Sequence, residues 1–258
     1  MLAWAPDGPA IAVTFEESGQ WDLAVTEPSG RPVWRSRTEQ IEGPFTWLRP
    51  NRLLVARASV TYTVREWEAL DPTSGAERLL HLEDEPDGLG AGFRAQAHPD
   101  GWHAVLVLRH EGWWHLYLLD TDTGHLQTLT GGVDEDVGHT YDHPRISADG
   151  REVVFSTNRL NLGMRHLFSV DIASAALRPV ISAAGTSVEA EWSPDGRHLA
   201  YKHSTLHHAP EIWTADRDGH GARRLVGAMP DGIDAEHLAV PHLTKTPGAD
   251  GREIPDTC

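Results

Sequence analysis

The sequence predicts an all-β protein, a β-propeller of four-stranded blades, and three observations predict it. A turn ending in Asp-Gly returns at near-constant spacing. Each copy is followed by the same succession of short apolar runs and further turns. No stretch carries the apolar spacing of a long helix.

The turns come first because they set the period. Trp4-Ala-Pro-Asp-Gly8, His98-Pro-Asp-Gly101, Ser147-Ala-Asp-Gly150 and Trp192-Ser-Pro-Asp-Gly196 are four copies, and Trp47-Leu-Arg-Pro-Asn51 is a degenerate fifth. Their last residues, Gly8, Asn51, Gly101, Gly150 and Gly196, lie 43, 50, 49 and 46 residues apart, the period of a four-stranded propeller blade. Proline presets φ, aspartate can bond its own backbone, and glycine takes the positive φ that closes the hairpin.

A short apolar run follows each turn: Ile11-Ala-Val13, Leu53-Leu-Val55, Ala104-Val-Leu-Val107, Val153-Val-Phe155 and Leu199-Ala-Tyr201. Runs without strict alternation suit strands covered on both faces, as in stacked blades. A second run then ends in another turn. Trp67 to Asp71 leads into Pro-Thr-Ser-Gly75, Trp114 to Asp120 into Thr-Asp-Thr-Gly124, and Glu211 to Asp216 into Arg-Asp-Gly219. His166 to Asp171 matches them, although its turn has lost the glycine. A last strand closes each unit, at Glu77–Leu80, Leu126–Thr130, Leu177–Val180 and Ala222–Val226.

The expected organisation is a propeller over residues 1–230, with repeats starting near 4, 47, 98, 147 and 192, and a linker or tail over 231–258. Propellers close with about four to eight blades, and an open stack leaves strand edges bare. The chain begins inside a turn, at Trp4, with nothing ahead of it for the preceding strand. Missing N-terminal blades are therefore expected, closure of five blades being the alternative.

Composition narrows the function. A hydrophobic content of 40% with 23% charged residues fits a globular chain. The 22 basic against 38 acidic residues, a net charge of −16, disfavour a nucleic-acid partner, which needs clustered Lys and Arg. No apolar run reaches the ~18 residues of a membrane span, and residues 1–8 lack the regions of a signal peptide. The single cysteine, Cys258, allows no intrachain disulfide, so the expected location is cytoplasmic.

Ten tryptophans against five phenylalanines and four tyrosines are unusual. Trp4, Trp47 and Trp192 recur just before the turn, and Trp21, Trp67, Trp114 and Trp213 recur in the second run. Repetition in register assigns both sets to packing between blades. Trp34, Trp102 and Trp113 fall outside the pattern and are candidates for exposed contacts.

The unit Glu191-Trp-Ser-Pro-Asp-Gly-Arg-His-Leu-Ala-Tyr201 resembles the repeat of TolB-type propellers and of the propeller domain in serine peptidases of the prolyl oligopeptidase family. Gly112-Trp-Trp-His-Leu-Tyr-Leu-Leu-Asp120 through Leu129-Thr-Gly-Gly-Val133 is similar to the Trp-x-x-Leu-Tyr strand and Leu-Thr-x-Gly turn of its dipeptidyl and acylaminoacyl branches. The tail from His242-Leu-Thr-Lys-Thr246 to Asp250-Gly-Arg-Glu-Ile-Pro255 resembles the first strand of the hydrolase domain that follows the last blade. The resemblance covers about residues 1–255. It implies a propeller that screens substrates over an active site, the chemistry being done by a separate α/β-hydrolase domain.

No catalytic residue is carried over. The nearest approach to Gly-x-Ser-x-Gly is Gly185-Thr-Ser187-Val-Glu189, which lacks the final glycine and reads as a loop between blades. Glu16-Glu17, ahead of a strand, does not match the helical glutamate pair of dipeptidyl peptidases. His139, His143, His203 and His207 are weak metal candidates, because imidazoles beside Asp142 offer transition-metal ligands, but their spacing matches no zinc pattern. Gly88-Leu-Gly-Ala-Gly92 follows an acidic run and opens no helix, so no phosphate or other cofactor is implied. Asp134-Glu-Asp136 reads as a solvated loop or an attractor for a cationic peptide terminus. Three readings result. The first is the non-catalytic propeller portion of such a peptidase, with a peptide, protein or hydrolase domain as partner. The others are a free-standing TolB-like binding propeller and a metal-dependent polysaccharide lyase.

Overall fold

The computed structural model describes residues 1–17, 19–86, 88–89, 94–110, 112–137, 142–227, 232, 238–239 and 243–257. Among them there is no helix, and hence none long and apolar enough to cross a membrane. The strands form five four-stranded antiparallel blades and one hairpin. They fall into two compact units, Met1–Gly131 and Gly132–Cys258.

The first unit holds three blades. They are β1 (Leu2–Trp4), β2 (Ile11–Glu17), β3 (Gln20–Thr26) and β4 (Pro32–Arg35); β5 (Ile41–Leu48), β6 (Arg52–Ala58), β7 (Val64–Asp71) and β8 (Ala76–Asp84); and β9 (Arg94–Ala97), β10 (His103–His110), β11 (Trp113–Asp120) and β12 (Leu126–Thr128). The second unit holds β13 (Arg145–Ile146), β14 (Glu152–Thr157), β15 (His166–Asp171) and β16 (Leu177–Ile181), then β17 (Thr186–Trp192), β18 (His198–Thr205), β19 (His208–Asp216) and β20 (Arg223–Val226). A hairpin of β21 (Leu243–Pro247) and β22 (Glu253–Thr257) follows.

Each blade is a simple meander, so its Asp-Gly turn and its third-to-fourth-strand turn share one end. The hairpins of the other end vary more, from two residues between β10 and β11 and between β18 and β19 to eight between β14 and β15. Sequence analysis expects no strand ahead of the first turn, yet Leu2–Trp4 supplies one, with Leu2 opposite Val13 and Trp4 opposite Ile11. The reason is economy: a blade's first strand needs few residues, and β13 has two.

Turn chemistry follows the sequence closely. Gly101, Gly150 and Gly196 take φ of 80°, 72° and 67°, and their N–H groups donate to His98, Ser147 and Ser193 at 2.8–2.9 Å. Gly8 departs from the expectation. It does not adopt positive φ, and its turn closes through Ala5 N–H to the Ala10 carbonyl at 2.8 Å. In the turn after Asp171 that lost its glycine, Ala175 itself takes φ of 55°, held by its N–H bond to the Asp171 carbonyl at 2.8 Å.

Side chains on alternate positions build the cores between blades. Ala12, Leu23 and Val25 of the first blade pack with Phe45, Trp47, Leu53, Val55 and Leu70 of the second. The opposite face of the second blade, with Leu54, Ala56 and Trp67, packs on Ala104, Leu106, Tyr117 and Leu119 of the third. In the other unit Val154, Leu167, Val180 and Ile181 meet Ala190, Leu199, Tyr201 and Ala215. The second blade is therefore buried on both faces, which explains its unalternated Leu53-Leu-Val-Ala56 run.

Two tryptophans act as staples across these seams. The Trp47 indole N–H donates to the Ala3 carbonyl at 3.1 Å, and that of Trp192 to the Arg145 carbonyl at 2.9 Å. Each reaches the first strand of the preceding blade, as the repeat register predicts. Trp4 does not follow, being 58% exposed. Trp21 is likewise exposed, at the end of β3 beyond the last packed residue of that face, Leu23. Among the tryptophans outside the pattern, Trp102 is exposed as expected, whereas Trp34 packs on the first core.

Candidate functional site

In the second unit the seam between its two blades turns from apolar to polar toward the end where β14 passes to β15 and β18 to β19. Asp142, Ser156, Ser187, His166 and His203 are all buried there. Asp142 is the hub. Its Oδ2 accepts the Ser156 hydroxyl, and its Oδ1 accepts the Glu189 backbone N–H at 2.9 Å. That N–H reaches it because β17 bulges, with Glu189 at φ of 53°. The Arg165 guanidinium donates to the Glu135 carbonyl at 3.2 Å. Burial lowers the Arg165 pKa, against the opposing fields of Glu135, Asp142 and Asp136.

Ser187, His203 and Glu211 are cross-strand neighbours on β17, β18 and β19. The Ser187 hydroxyl lies 2.8 Å from His203 Nδ1, and the His203 ring meets Trp213 edge-on at 5.5 Å between centroids. Serine, imidazole and carboxylate are the groups of nucleophilic catalysis. Here Ser187 has no exposed surface and lies within a strand, so no substrate carbonyl can reach it. The bond satisfies buried groups. Burial holds both His203 and His166 below the usual imidazole range, with Glu211 opposing it at His203.

Beside this cluster lies a cavity of ≈ 350 Å³ lined by Met164, Gly185, Thr186, Ser204, Thr205 and His207, among others. Gly185 shapes its wall: φ is 117°, and a Cβ there would stand 2.2 Å from the Ser204 carbonyl oxygen. The lining is mostly apolar, and the cavity is large enough for one side chain of a peptide.

The first unit solves the same problem with charge. Arg57 laces all four strands of its blade, donating to Glu42 at 3.0 Å, to Glu68, and to Glu77 at 2.8 and 3.0 Å. Burial opposes its charge, but the three carboxylates outweigh that and raise the Arg57 pKa. The same burial raises Glu42 and Glu68 against the pull of Arg57. On the opposite face, fully buried Arg65 pairs with Glu83 at 2.6 Å. Its guanidinium lies 5.9 Å from the Trp67 ring and 5.8 Å from the Trp114 ring of the next blade.

The sequence candidates fall in separate places. His139 lies outside the described residues. His143 directly precedes Pro144 ahead of β13, His203 is engaged by Ser187, and His207 stands in the β18–β19 hairpin at the cavity. Among the described residues none of them joins a group of three metal-ligating side chains. Gly90 to Gly92 also lie outside the described residues. Asp134-Glu-Asp136 is corrected. Instead of being solvated, Asp134 pairs with Arg159 at 2.5 Å, Glu135 faces Arg165 at 3.8 Å, and Asp136 is fully buried. Sequence reasoning missed the arginines and the role of Asp142 as a hub, because their partners are 11 to 47 residues away in the chain.

A family model described as the dipeptidyl peptidase IV (DPP IV) N-terminal region matches residues 36–210. No curated protein matches the chain in sequence. Among solved structures, a puromycin hydrolase is similar at 18% identity and a TM-score of 0.78, over 99% of this chain and 41% of its own. Dipeptidyl peptidase 4 of Porphyromonas gingivalis is similar at 12% identity and a TM-score of 0.74, over 99% of this chain and 41% of its own. TolB of Agrobacterium tumefaciens gives 19% and 0.59, over 88% of this chain and 80% of its own. The chain thus spans about two-fifths of the peptidase chains that it matches.

Proposed function

Because this chain belongs to the family of dipeptidyl peptidase IV N-terminal regions, we propose that it is the non-catalytic propeller portion of a prolyl-oligopeptidase-type serine peptidase. Its role is to dock an α/β-hydrolase domain and to gate the access of peptide substrates to it. Residues 1–230 form the propeller in this reading, and 231–258 are the passage into the hydrolase domain. The observation that carries it is the family match over residues 36–210, read with the separate β21–β22 hairpin. That hairpin bears Asp250-Gly251 in the tail that resembles the start of a hydrolase domain.

A second reading, a free-standing propeller that binds a protein partner, is favoured by the similarity to TolB over 80% of the TolB chain. Fold alone does not choose between them, because function resides in sites grafted on folds. The DNA following codon 258 does. An in-frame α/β-hydrolase with Gly-x-Ser-x-Gly supports the peptidase reading. Its absence, with retrieval of a stoichiometric partner by the purified chain, supports the second.

A further inference from the structure

The third blade carries an Asp-Gly turn unlike those of the fourth and fifth. In those two the turn opens with serine, and Ser147 and Ser193 each donate a hydroxyl to the turn aspartate, Asp149 or Asp195, at 2.6 Å. In the third blade the same position is His98. Its Nδ1 accepts the Asp100 backbone N–H at 3.2 Å and stands 3.0 Å from Asp100 Oδ2. His103, the first residue of β10, places its own Nδ1 2.7 Å from that same oxygen.

Three ligand atoms, one from each residue, therefore lie within 4.8 Å of one another, all three side chains being partly accessible. An ion bound by imidazole and carboxylate at about 2.0–2.2 Å sets neighbouring ligand atoms roughly 3–3.5 Å apart; the two imidazole–carboxylate distances here are 3.0 and 2.7 Å, and binding exchanges the Asp100 N–H bond at His98 Nδ1 for the ion. The turn fixes the carboxylate independently. Asp100 Oδ1 accepts the N–H groups of Trp102 and His103 at 2.8 and 3.1 Å, leaving Oδ2 toward the imidazoles.

The surroundings suit a cation. Asp120 is the cross-strand partner of His103. The nearby Arg49, whose side chain packs at Gly101, directs its guanidinium to Asp7 at 3.9 Å.

We propose that His98, Asp100 and His103 form a binding site for a divalent ion of the zinc class, a two-histidine, one-carboxylate face whose remaining positions are open. The site is separate from the polar cluster of the second unit and does not depend on the peptidase reading.

The test is calorimetric titration of the untagged chain with zinc chloride, repeated on His98→Ser and His103→Gln. His98→Ser restores the residue that the fourth and fifth blades use, so the turn keeps its cap and its aspartate. The wild-type chain is expected to bind one ion at this site, and each variant to lose at least ~10-fold in affinity. Metal-free circular dichroism and the melting temperature should be unchanged in His98→Ser. Cobalt(II) substituted for zinc should give a visible spectrum that the same variant loses. Zinc binding of equal strength in His98→Ser, or no binding by the wild-type chain at millimolar zinc, would overturn the proposal.

Discussion

Arg65 and His203 sit in comparable settings, each buried near the hairpin that joins the second and third strands of its blade, and each against a tryptophan ring. The first unit places a permanent cation there and answers it with Glu83. The second places a titratable imidazole and answers it with the Ser187 hydroxyl. Both satisfy buried polar atoms, but they differ in what disturbs them. A buried ion pair is costly to break from one side and indifferent to mild acid. A buried imidazole costs less to lose but must take up a proton once the pH falls far enough.

The largest expected effect breaks the charged side of this comparison. Arg57→Ala leaves Glu42, Glu68 and Glu77 gathered without their cation, and should cost about 3–5 kcal/mol in denaturant unfolding. A loss under about 1 kcal/mol would mean that the network is solvent-screened. Next comes the spacing of the seams. Gly219 and Gly124 lie in the turns between the third and fourth strands of the fifth and third blades. A Cβ at Gly219 would stand 1.9 Å from the Val180 carbonyl oxygen of the neighbouring blade, and one at Gly124 3.0 Å from that of Leu80. Gly219→Ala should therefore cost about 2–3 kcal/mol and Gly124→Ala distinctly less, both including the strain of positive φ. Equal melting temperatures for the two variants would show that the seams are equally tight.

Smaller still are the staples. Trp47→Phe and Trp192→Phe each remove one indole N–H from a main-chain carbonyl and should each cost about 1 kcal/mol. Parity would show that the two units share this device despite their different polar chemistry.

The pH response sharpens the contrast by its sign. His166 and His203 have folded pKa values depressed by burial, so their contribution is complete above the unfolded value of about 6.5 and declines as pH falls below it. Glu42 and Glu68 are raised, so their contribution is complete at low pH and declines as pH rises through their folded values. His81 in β8, also depressed by burial, gives the first unit a loss of the same kind from one imidazole against two. Hydrogen exchange, corrected for intrinsic rates, should show β18 losing more protection than β6 between pH 7.5 and 5.5. The reverse order would contradict the assignment of the titrating groups.

The fold was legible because its signal is local. Asp and Gly in a turn dictate φ and a capping bond within a few residues, and repetition does the rest. The tryptophan pattern was legible where the indole meets a neighbouring strand: Trp47 and Trp192 each bond to one, while Trp4 is exposed. The polar clusters were not legible. Arg57 finds Glu77, and Asp142 finds Glu189, through strand register and a bulge that composition does not encode. His98 was hidden differently, since its motif reads as a turn and its ligand geometry appears only when His103 folds back beside it.

The function proposed above assigns this chain no acyl transfer of its own, and Ser187 is buried beside His203. Turnover of a peptide anilide or aryl ester by the purified chain measures that directly. No hydrolysis above the uncatalysed rate is predicted, before or after treatment with a serine-reactive phosphonate. Hydrolysis that survives purification and vanishes in Ser187→Ala would contradict it.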